Sequence, residues 1–348
     1  MNEKKKFKIG VHAVLGLVIL GIIVFMVIKL LNWQSRTVTI DTNVEEGSFD
    51  MENLDFYVFP TEEQLAARKD DGINNILVLG NAGINSNGEK HSVLNELKKR
   101  LDNAEIVSLV SDKSKITCEH DNDVYITVDA YCLYNMVNAL ATGNYTPQAQ
   151  TSPSEGFSSE KLHSEFVETF KNLDMKNIDT ILIMYSLQDY YASMLPMYMD
   201  GDNVLGYHGS LNTSIKILQE NFPWVSIILA SPYPEYLEGD NGEILLDSTT
   251  DFGQGNGSVY LQHQYAVATE RCISYIDNYY YKINEENITD YVDSFFLKKK
   301  GVDLVAEHIA DFINNKGKGS YYNPTLRFKI AGFLYTYFIG QRNNYLLN

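Results

Sequence analysis

The apolar residues between Asn74 and Asn314 fall into short runs that alternate with amphipathic stretches. Each run is five or six residues long, rich in aliphatic side chains and bounded by polar or turn-forming residues, which is typical of a β-strand. Five strands are predicted in this way: Asn75–Leu79, Glu105–Val110, Thr180–Tyr185, Ser226–Ala230 and Cys272–Ile276. Because most of these runs are apolar throughout, we expect both faces of the strands to be buried.

Helices are predicted between these strands. The stretches with helical spacing of apolar residues are Lys90–Leu101, Tyr131–Ala141, Ser158–Leu173, Ser210–Asn221, Tyr260–Glu270 and Gly301–Asn314. Strands that alternate with helices predict an α/β fold, here a three-layer sandwich around a parallel, flavodoxin-like five-stranded sheet. The functional loops of such a sheet follow the carboxyl ends of its strands. The stretch Thr146–Ser159, rich in Pro, Ser, Gln and Thr, is interpreted as a solvated loop.

The N-terminus has a different pattern. Ile9 to Ile28 is a run of twenty residues in which only His12 is strongly polar. A helix of roughly 20 apolar residues matches the hydrocarbon thickness of a bilayer. Four lysines precede the run, so the positive-inside rule predicts a cytoplasmic N-terminus. The alternative is a cleaved signal peptide, but its apolar region would be about 7–15 residues long and would end in a small-residue cleavage site.

The chain is therefore divided into five parts. We predict a cytoplasmic tail at 1–8, a single transmembrane anchor at 9–33, a stalk and lead-in segment at 34–70, and an extracytoplasmic domain at 71–316. The last part, 317–348, is an aromatic extension, and within it Phe328 to Gly340 is apolar nearly all round. That stretch is too short to span a bilayer. The expected location is the plasma membrane, with one pass.

Charge excludes some functions. The whole chain carries a net charge of −17, although its first 36 residues are basic. Such an acidic domain repels nucleic acid, so no nucleic-acid partner is expected. The three cysteines, Cys118, Cys132 and Cys272, lack metal-ligand spacing. No metal and no cofactor are predicted.

Three loops carry candidate chemistry. The first predicted strand is followed by Gly80-Asn81-Ala82-Gly83, the third by Ser186-Leu187-Gln188-Asp189, and the last helix is preceded by Asp293-Ser294-Phe295-Phe296 and Gly301. These phrases, in this order from about Asn74 to Asn314, resemble the SGNH/GDSL hydrolases, particularly the surface-anchored members of Gram-positive bacteria. That family has Gly-Asp-Ser, Gly-Thr-Asn-Asp-Tyr and Asp-x-x-His at the corresponding places.

The resemblance implies that the catalytic residues have been lost. Ala82 stands at the position of the nucleophile, and Ser111 stands near the place of the oxyanion-hole glycine. Gln188 replaces the oxyanion-hole asparagine, Asp293 keeps the position of the catalytic aspartate, and Phe296 replaces the histidine that acts as general base. Ester hydrolysis by this route needs a hydroxyl, a base and oxyanion donors. No intact catalytic set is therefore expected.

Function is expected to follow from that loss. The resemblance implies a non-catalytic binding or accessory protein in the acyl modification of a cell-surface polysaccharide or teichoic acid. Its partners would be that glycopolymer or a membrane-bound acyltransferase. One alternative is an active serine esterase or acyltransferase whose nucleophile has moved to Ser86, Ser186 or Ser231. Another is a structural module that makes contacts through its C-terminal extension. His308 is interpreted as a helix-surface histidine.

The anchor can be tested by fractionation. The full-length protein is expected to sediment with membranes, because its apolar run is long enough to span them. Protease added from outside should release a fragment that begins after Trp33, as mass spectrometry of the released protein would show. Recovery of a soluble mature protein starting between residues 25 and 40 would identify the run as a cleaved signal instead.

Overall fold

The computed structural model of this protein describes residues 54–69, 71–85, 91–120, 129–197, 201–239 and 241–315. All of them belong to the second of two compact units, Glu52–Asn348. The predicted anchor, most of the stalk and the C-terminal extension lie outside the described residues. Among the helices of the described ranges, none has the length and apolar character that crossing a membrane requires.

A five-stranded parallel sheet forms the centre of the domain. Its strands are β1 (Asn74–Gly80), β2 (Ala104–Val110), β3 (Thr180–Met184), β4 (Ser226–Ala230) and β7 (Ser274–Ile276). Their order in the sheet is β2–β1–β3–β4–β7, so the strand order reverses at β1 and β3. This is the flavodoxin-like arrangement, in which a crevice opens at the carboxyl ends of the two strands where the order reverses. The predicted α/β fold with a parallel five-stranded sheet is confirmed.

Helices cover both faces of this sheet. The helices are α1 (Glu62–Ala67), α2 (Ala82–Asn85), α3 (Val93–Arg100), α4 (Leu133–Thr142), α5 (Thr146–Gln150), α6 (Pro153–Gly156), α7 (Glu160–Asn172), α8 (Gln188–Tyr191), α9 (Tyr207–Asn221), α10 (Gly257–Arg271), α11 (Ile288–Tyr291) and α12 (Lys299–Asn315). Successive strand residues point to opposite faces. Leu77 and Ile181 pack with α4, α7, α9 and α10, while Val78 and Leu182 pack with α3 and α12. The sheet is thus buried on both sides, as its apolar strands predicted.

Two short hairpins complete the domain. The antiparallel pair β5 (Tyr236–Glu238) and β6 (Ile244–Leu246) follows β4. The pair β8 (Val292–Asp293) and β9 (Phe296–Leu297) lies between α11 and α12. The first hairpin follows the carboxyl end of β4, and the second follows the carboxyl end of β7. Both therefore lie at the edge of the sheet where the candidate loops lie.

The stretch Thr146–Ser159 is not a solvated loop. It forms α5 and α6, each with a proline in its first turn, where the missing N–H has no helical partner to lose. Gln148 of α5 is only 1% exposed. Its Nε2 donates a hydrogen bond to the Ala130 carbonyl at 2.7 Å. The polar composition of this stretch therefore did not indicate solvent exposure, because a polar side chain such as Gln148 is buried and hydrogen-bonded to a neighbouring loop.

His308 is buried, and the interpretation as a surface histidine is wrong. Its Nδ1 lies 3.0 Å from Asn278 Oδ1 and its Nε2 lies 2.8 Å from Asp55 Oδ2. The imidazole also stacks on Tyr281, with ring centroids 3.7 Å apart. Next to Asp55, Phe56 pairs antiparallel with Tyr275 of β7. His308 therefore fastens the segment that leads into the domain against the last helix.

We expect His308→Leu to lower the free energy of unfolding by about 2–4 kcal/mol, because it leaves the Asp55 carboxylate and the Asn278 carbonyl without their imidazole partner. Urea unfolding of both proteins measures the difference. Glu307→Leu is the matched control, since Glu307 is the exposed neighbour on the same helix. Equal losses in the two variants would show that the His308 contacts do not stabilise the domain.

Candidate functional site

The side chain of Asn81 joins the loops that follow the first three strands. Its Oδ1 accepts hydrogen bonds from the N–H groups of Gly83 at 3.1 Å and Ser186 at 2.9 Å. Its Nδ2 donates to the Ser114 carbonyl at 2.9 Å. An amide can accept and donate at once in this way, whereas an ionised aspartate could only accept. Asn81 therefore fixes the loops after the first three strands relative to each other.

Ala82 follows directly, as the first residue of α2. Its position after β1 is the one that the resemblance assigns to the nucleophile. The approach of β1 to β3 is close here, because a Cβ on Gly80 would lie 2.3 Å from the Met184 carbonyl oxygen. The backbone frame of the first motif is thus present. A methyl side chain at position 82 offers neither a nucleophile nor a proton donor.

The two residues assigned to the oxyanion hole are bonded to the chain itself. Ser111 is buried, its N–H donates to the Gly80 carbonyl at 3.3 Å, and its hydroxyl donates to the Gly156 carbonyl at 2.9 Å. Gln188 Nε2 donates to the Asp112 carbonyl at 3.2 Å. An oxyanion hole needs donors that point at the reacting oxygen. Here these donors point at carbonyl oxygens of the protein.

Asp293 and Phe296 face each other across the β8–β9 hairpin, as directly paired residues. Both are exposed, and the phenyl ring of Phe296 is 50% exposed. Ser294, in the turn, has a φ of 58° and donates its hydroxyl proton to the Tyr236 carbonyl. The resemblance assigns these two positions to the ends of the Asp-x-x-His motif. A phenyl ring cannot take up a proton.

The hairpin contacts the loop after β3. The rings of Phe295 and Tyr191 meet edge to face, with centroids 4.8 Å apart. Tyr233, in the loop after β4, donates its hydroxyl proton to the Phe295 carbonyl at 3.0 Å. Together with the Asn81 bonds, these contacts bring the candidate loops to one edge of the sheet. They fix the arrangement of these loops.

Asp189 is a structural carboxylate. It is 1% exposed and accepts the N–H groups of Ile116 at 2.9 Å and Thr117 at 2.8 Å. Burial raises the pKa of this carboxyl, while the two backbone donors act in the opposite direction. Asp189 therefore fixes the loop after β2 and does not face a substrate.

The serines proposed as relocated nucleophiles differ in their surroundings. Ser231 is fully buried, and its hydroxyl donates to the Pro232 carbonyl and accepts the N–H of Tyr279. Ser186 is half-buried, and no imidazole of the described residues hydrogen-bonds to it. Ser86 lies outside the described residues. A serine needs an adjacent base to attack an ester, so neither described serine is activated in this structure.

One group of potential metal ligands comes together in the described part of the chain: His91, Glu96 and Asp303. Lys99 Nζ lies 2.6 Å from Glu96 Oε1, and Arg100 Nη2 lies 3.0 Å from Asp303 Oδ1. These two cations already balance the two carboxylates. The group is best described as an ion-pair network between α3 and α12.

A buried pair of carboxyl groups lies near Tyr191, which contacts Phe295. Glu235 and Asp247 are 1% and 2% exposed, and Asp247 Oδ2 accepts the N–H of Glu235 at 2.9 Å. Tyr279 donates its hydroxyl proton to Asp247 Oδ1 at 2.6 Å. Burial, and then the neighbouring Asp247, raise the pKa of Glu235 well above its usual range. Burial also raises the pKa of Asp247 to about 6.

Sequence reasoning missed this pair. Glu235 follows Pro232-Tyr233-Pro234 after β4, and its place beyond the carboxyl end of a strand was the available signal. Its partner Asp247 comes after β6, and nothing in the sequence joins the two. Perturbed carboxyl groups near a crevice are candidates for function as well as for strain.

No protein-family model and no curated protein matches this chain. Solved structures do match it. One crystal structure aligns with a TM-score of 0.51 at 13% identity, over 71% of this chain and 99% of its own. A protein named as a GDSL-like lipase from Bacteroides ovatus aligns with a TM-score of 0.42 at 11% identity, over 70% of this chain and 99% of its own. A carbohydrate acetylesterase family member from Sinorhizobium meliloti aligns with a TM-score of 0.41 at 13% identity, over 70% and 99%.

The chain has an SGNH/GDSL hydrolase-type fold, in agreement with the strand order and with the motif loops at the carboxyl edge of the sheet. At identities this low the similarity concerns the fold alone. The residues of the site must therefore be interpreted from their own geometry.

The buried pair predicts how stability depends on pH. In the unfolded chain a glutamate titrates near a pKa of about 4.3. Since the folded pKa of Glu235 is higher, folding takes up a proton between the two values, and stability falls as pH rises through this window. We therefore expect Glu235→Gln to gain stability relative to wild type as the pH rises, so that the difference between the two proteins favours the variant more at pH 8 than at pH 5.

Urea unfolding of wild type and variant at both pH values provides the measurement. Glu238→Gln, an exposed change on the adjacent hairpin, is the control and should have the same effect at both pH values. A Glu235→Gln effect that does not vary with pH would mean that the carboxyl titrates normally in the folded protein.

Proposed function

We propose that this protein is a membrane-anchored, extracytoplasmic SGNH-type domain that binds its ligand without hydrolysing it. It would serve as an accessory component in the acyl modification of a cell-surface polysaccharide or teichoic acid, beside a membrane-bound acyltransferase. The anchor and the envelope context come from the N-terminal apolar run and the family resemblance. The residues of the site support the non-catalytic role.

The proposal rests mainly on one observation: the loops of the site are held together by hydrogen bonds, but a nucleophile and a base are absent from the positions where the resemblance expects them. By the family resemblance, Ala82 and Phe296 stand at the positions of nucleophile and base, and Asn81 bonds the surrounding loops together. Losing nucleophile and base lowers hydrolase rates by roughly 10⁶-fold where this has been measured. The Ser111 and Gln188 donors are also bonded to protein carbonyls. A site with ordered loops and no nucleophile or base is suited to binding.

The exposed surface of the site supports a binding role as well. Phe295 and Phe296 are 36% and 50% exposed, and Tyr191 packs against Phe295 at the same edge of the sheet. Aromatic rings offer large contact surfaces that need little ordering on binding. The acyl group or sugar face of an acylated polymer has the apolar surface that such rings contact.

We expect the purified full-length protein to hydrolyse p-nitrophenyl acetate and butyrate no faster than a heat-denatured sample, because no activated nucleophile remains. Release of p-nitrophenol, followed by absorbance, is the measurement. Ser186→Ala and Ser86→Ala are the matched variants. A wild-type rate that either variant abolishes would establish a relocated nucleophile and an active esterase.

The proposed ligand binding is tested on the same purified protein. An acetylated glycopolymer should be retained by immobilised wild-type protein, and Phe296→Asp should weaken the retention because it places a charge on the aromatic surface. Phe59→Asp, the same change at a similarly exposed ring near the amino-terminal end of β4, serves as control. Equal retention by Phe296→Asp and wild type would refute a binding site at this edge.

A further inference from the structure

Two of the three cysteines come together between β2 and α4. Cys118 lies in the loop after β2, and Cys132 is the N-cap residue of α4. Their side chains are 0% and 5% exposed, and both are thiols in this structure. The Cys118 thiol is a hydrogen-bonding neighbour of the Cys132 thiol. Cys272, by contrast, is half-buried at the end of α10.

Hydrogen bonds on both sides of the pair hold the two segments in register. On one side, the N–H of Leu133 donates to the Lys115 carbonyl at 3.0 Å. On the other side, the carboxylate of Asp129 accepts the N–H groups of Glu119 at 3.1 Å and His120 at 2.8 Å. A disulfide needs two Cα atoms within about 7 Å of each other. Contacts that bracket the two thiols in this way keep their backbones side by side.

The surroundings of the pair favour a disulfide over thiolates. Burial raises the pKa of the Cys132 thiol well above its usual range, and the Cys118 thiol and the Asp129 carboxylate act in the same direction. Reduction of a disulfide requires one sulfur to leave as a thiolate, and a sulfur that ionises reluctantly leaves slowly. A bond between two buried sulfurs is also difficult for a reductant to reach. Once formed, a disulfide at this place resists reduction.

We infer that Cys118 and Cys132 form an intramolecular disulfide that ties the loop after β2 to the first turn of α4. The two thiols give up two protons and two electrons as the S–S bond forms. A disulfide donor, such as oxidised glutathione or a dithiol–disulfide oxidoreductase, takes them up and becomes two thiols. Because both side chains are buried in the folded protein, this exchange takes place during folding. The inference does not depend on the proposed function.

The bond would restrain a segment that supports the motif loops. The Ser114 carbonyl accepts the amide proton of Asn81, and the Asp189 carboxylate accepts the N–H of Ile116. Both contacts lie just before Cys118 in the chain. A disulfide that closes a loop of about 15 residues also restricts the unfolded chain, so the oxidised protein should be the more stable form.

Refolding of the full-length protein in detergent tests the inference. The protein is unfolded in urea, reduced, and refolded by dilution into a buffer of reduced and oxidised glutathione. A protease that cleaves after glutamate cuts at Glu119 and separates Cys118 from Cys132, so their two peptides stay joined only through a disulfide. We expect mass spectrometry to find this joined pair and to find Cys272 as the thiol that can be alkylated.

Melting temperatures give a second measurement. Oxidised wild type should melt about 5 °C above the reduced protein. Cys118→Ser and Cys132→Ser should each abolish this difference, whereas the matched variant Cys272→Ser should keep both the difference and the joined peptides. The inference is overturned if all three thiols of the refolded wild type are alkylated, if Cys272→Ser loses the joined peptides, or if oxidised and reduced wild type melt at the same temperature. The wild-type measurements decide even where a variant fails to fold.

Discussion

The assembly of the motif loops depends on one buried amide. Asn81 has no solvent exposure, and its three hydrogen bonds connect the loop after β1 to the loops after β2 and β3. A buried polar group of this kind must be fully bonded, since an unpaired one is unfavourable by about 1–3 kcal/mol. The loops are therefore fixed relative to each other by hydrogen bonds, whichever side chains they present to solvent.

The contacts around this amide belong to the backbone frame of the site. Gly80 permits the close approach of β1 to β3, and Gly301 permits α12 to begin beside the Tyr291 carbonyl, where a Cβ would lie 2.3 Å away. Asp189, after β3, accepts two backbone N–H groups. These features fix the loops, whereas Phe296 presents an exposed ring at the same edge.

The fold could be predicted from sequence because its information is local. Runs such as Ser226–Ala230 are apolar over their whole length, and this stretch is a strand with the same bounds in the structure. Residues whose state depends on distant partners could not be predicted. His308 belongs to an amphipathic helix, but its burial depends on Asp55, which lies 253 positions earlier in the chain. The Glu235–Asp247 pair and the ordered Thr146–Ser159 stretch likewise depend on contacts that no local pattern reveals.

The hydrogen bonds of Ser111 and Gln188 limit what redesign of the site could achieve. Introducing a serine at position 82 and a histidine at position 296 needs only two substitutions. The carbonyls of Gly80, Gly156 and Asp112, however, would still hold the donors at Ser111 and Gln188. Freeing those donors requires these hydrogen bonds to break, and the bond from Ser111 to Gly156 is buried. A hydroxyl at position 82 and an imidazole at position 296 would therefore meet a site whose donors are already occupied by the protein backbone.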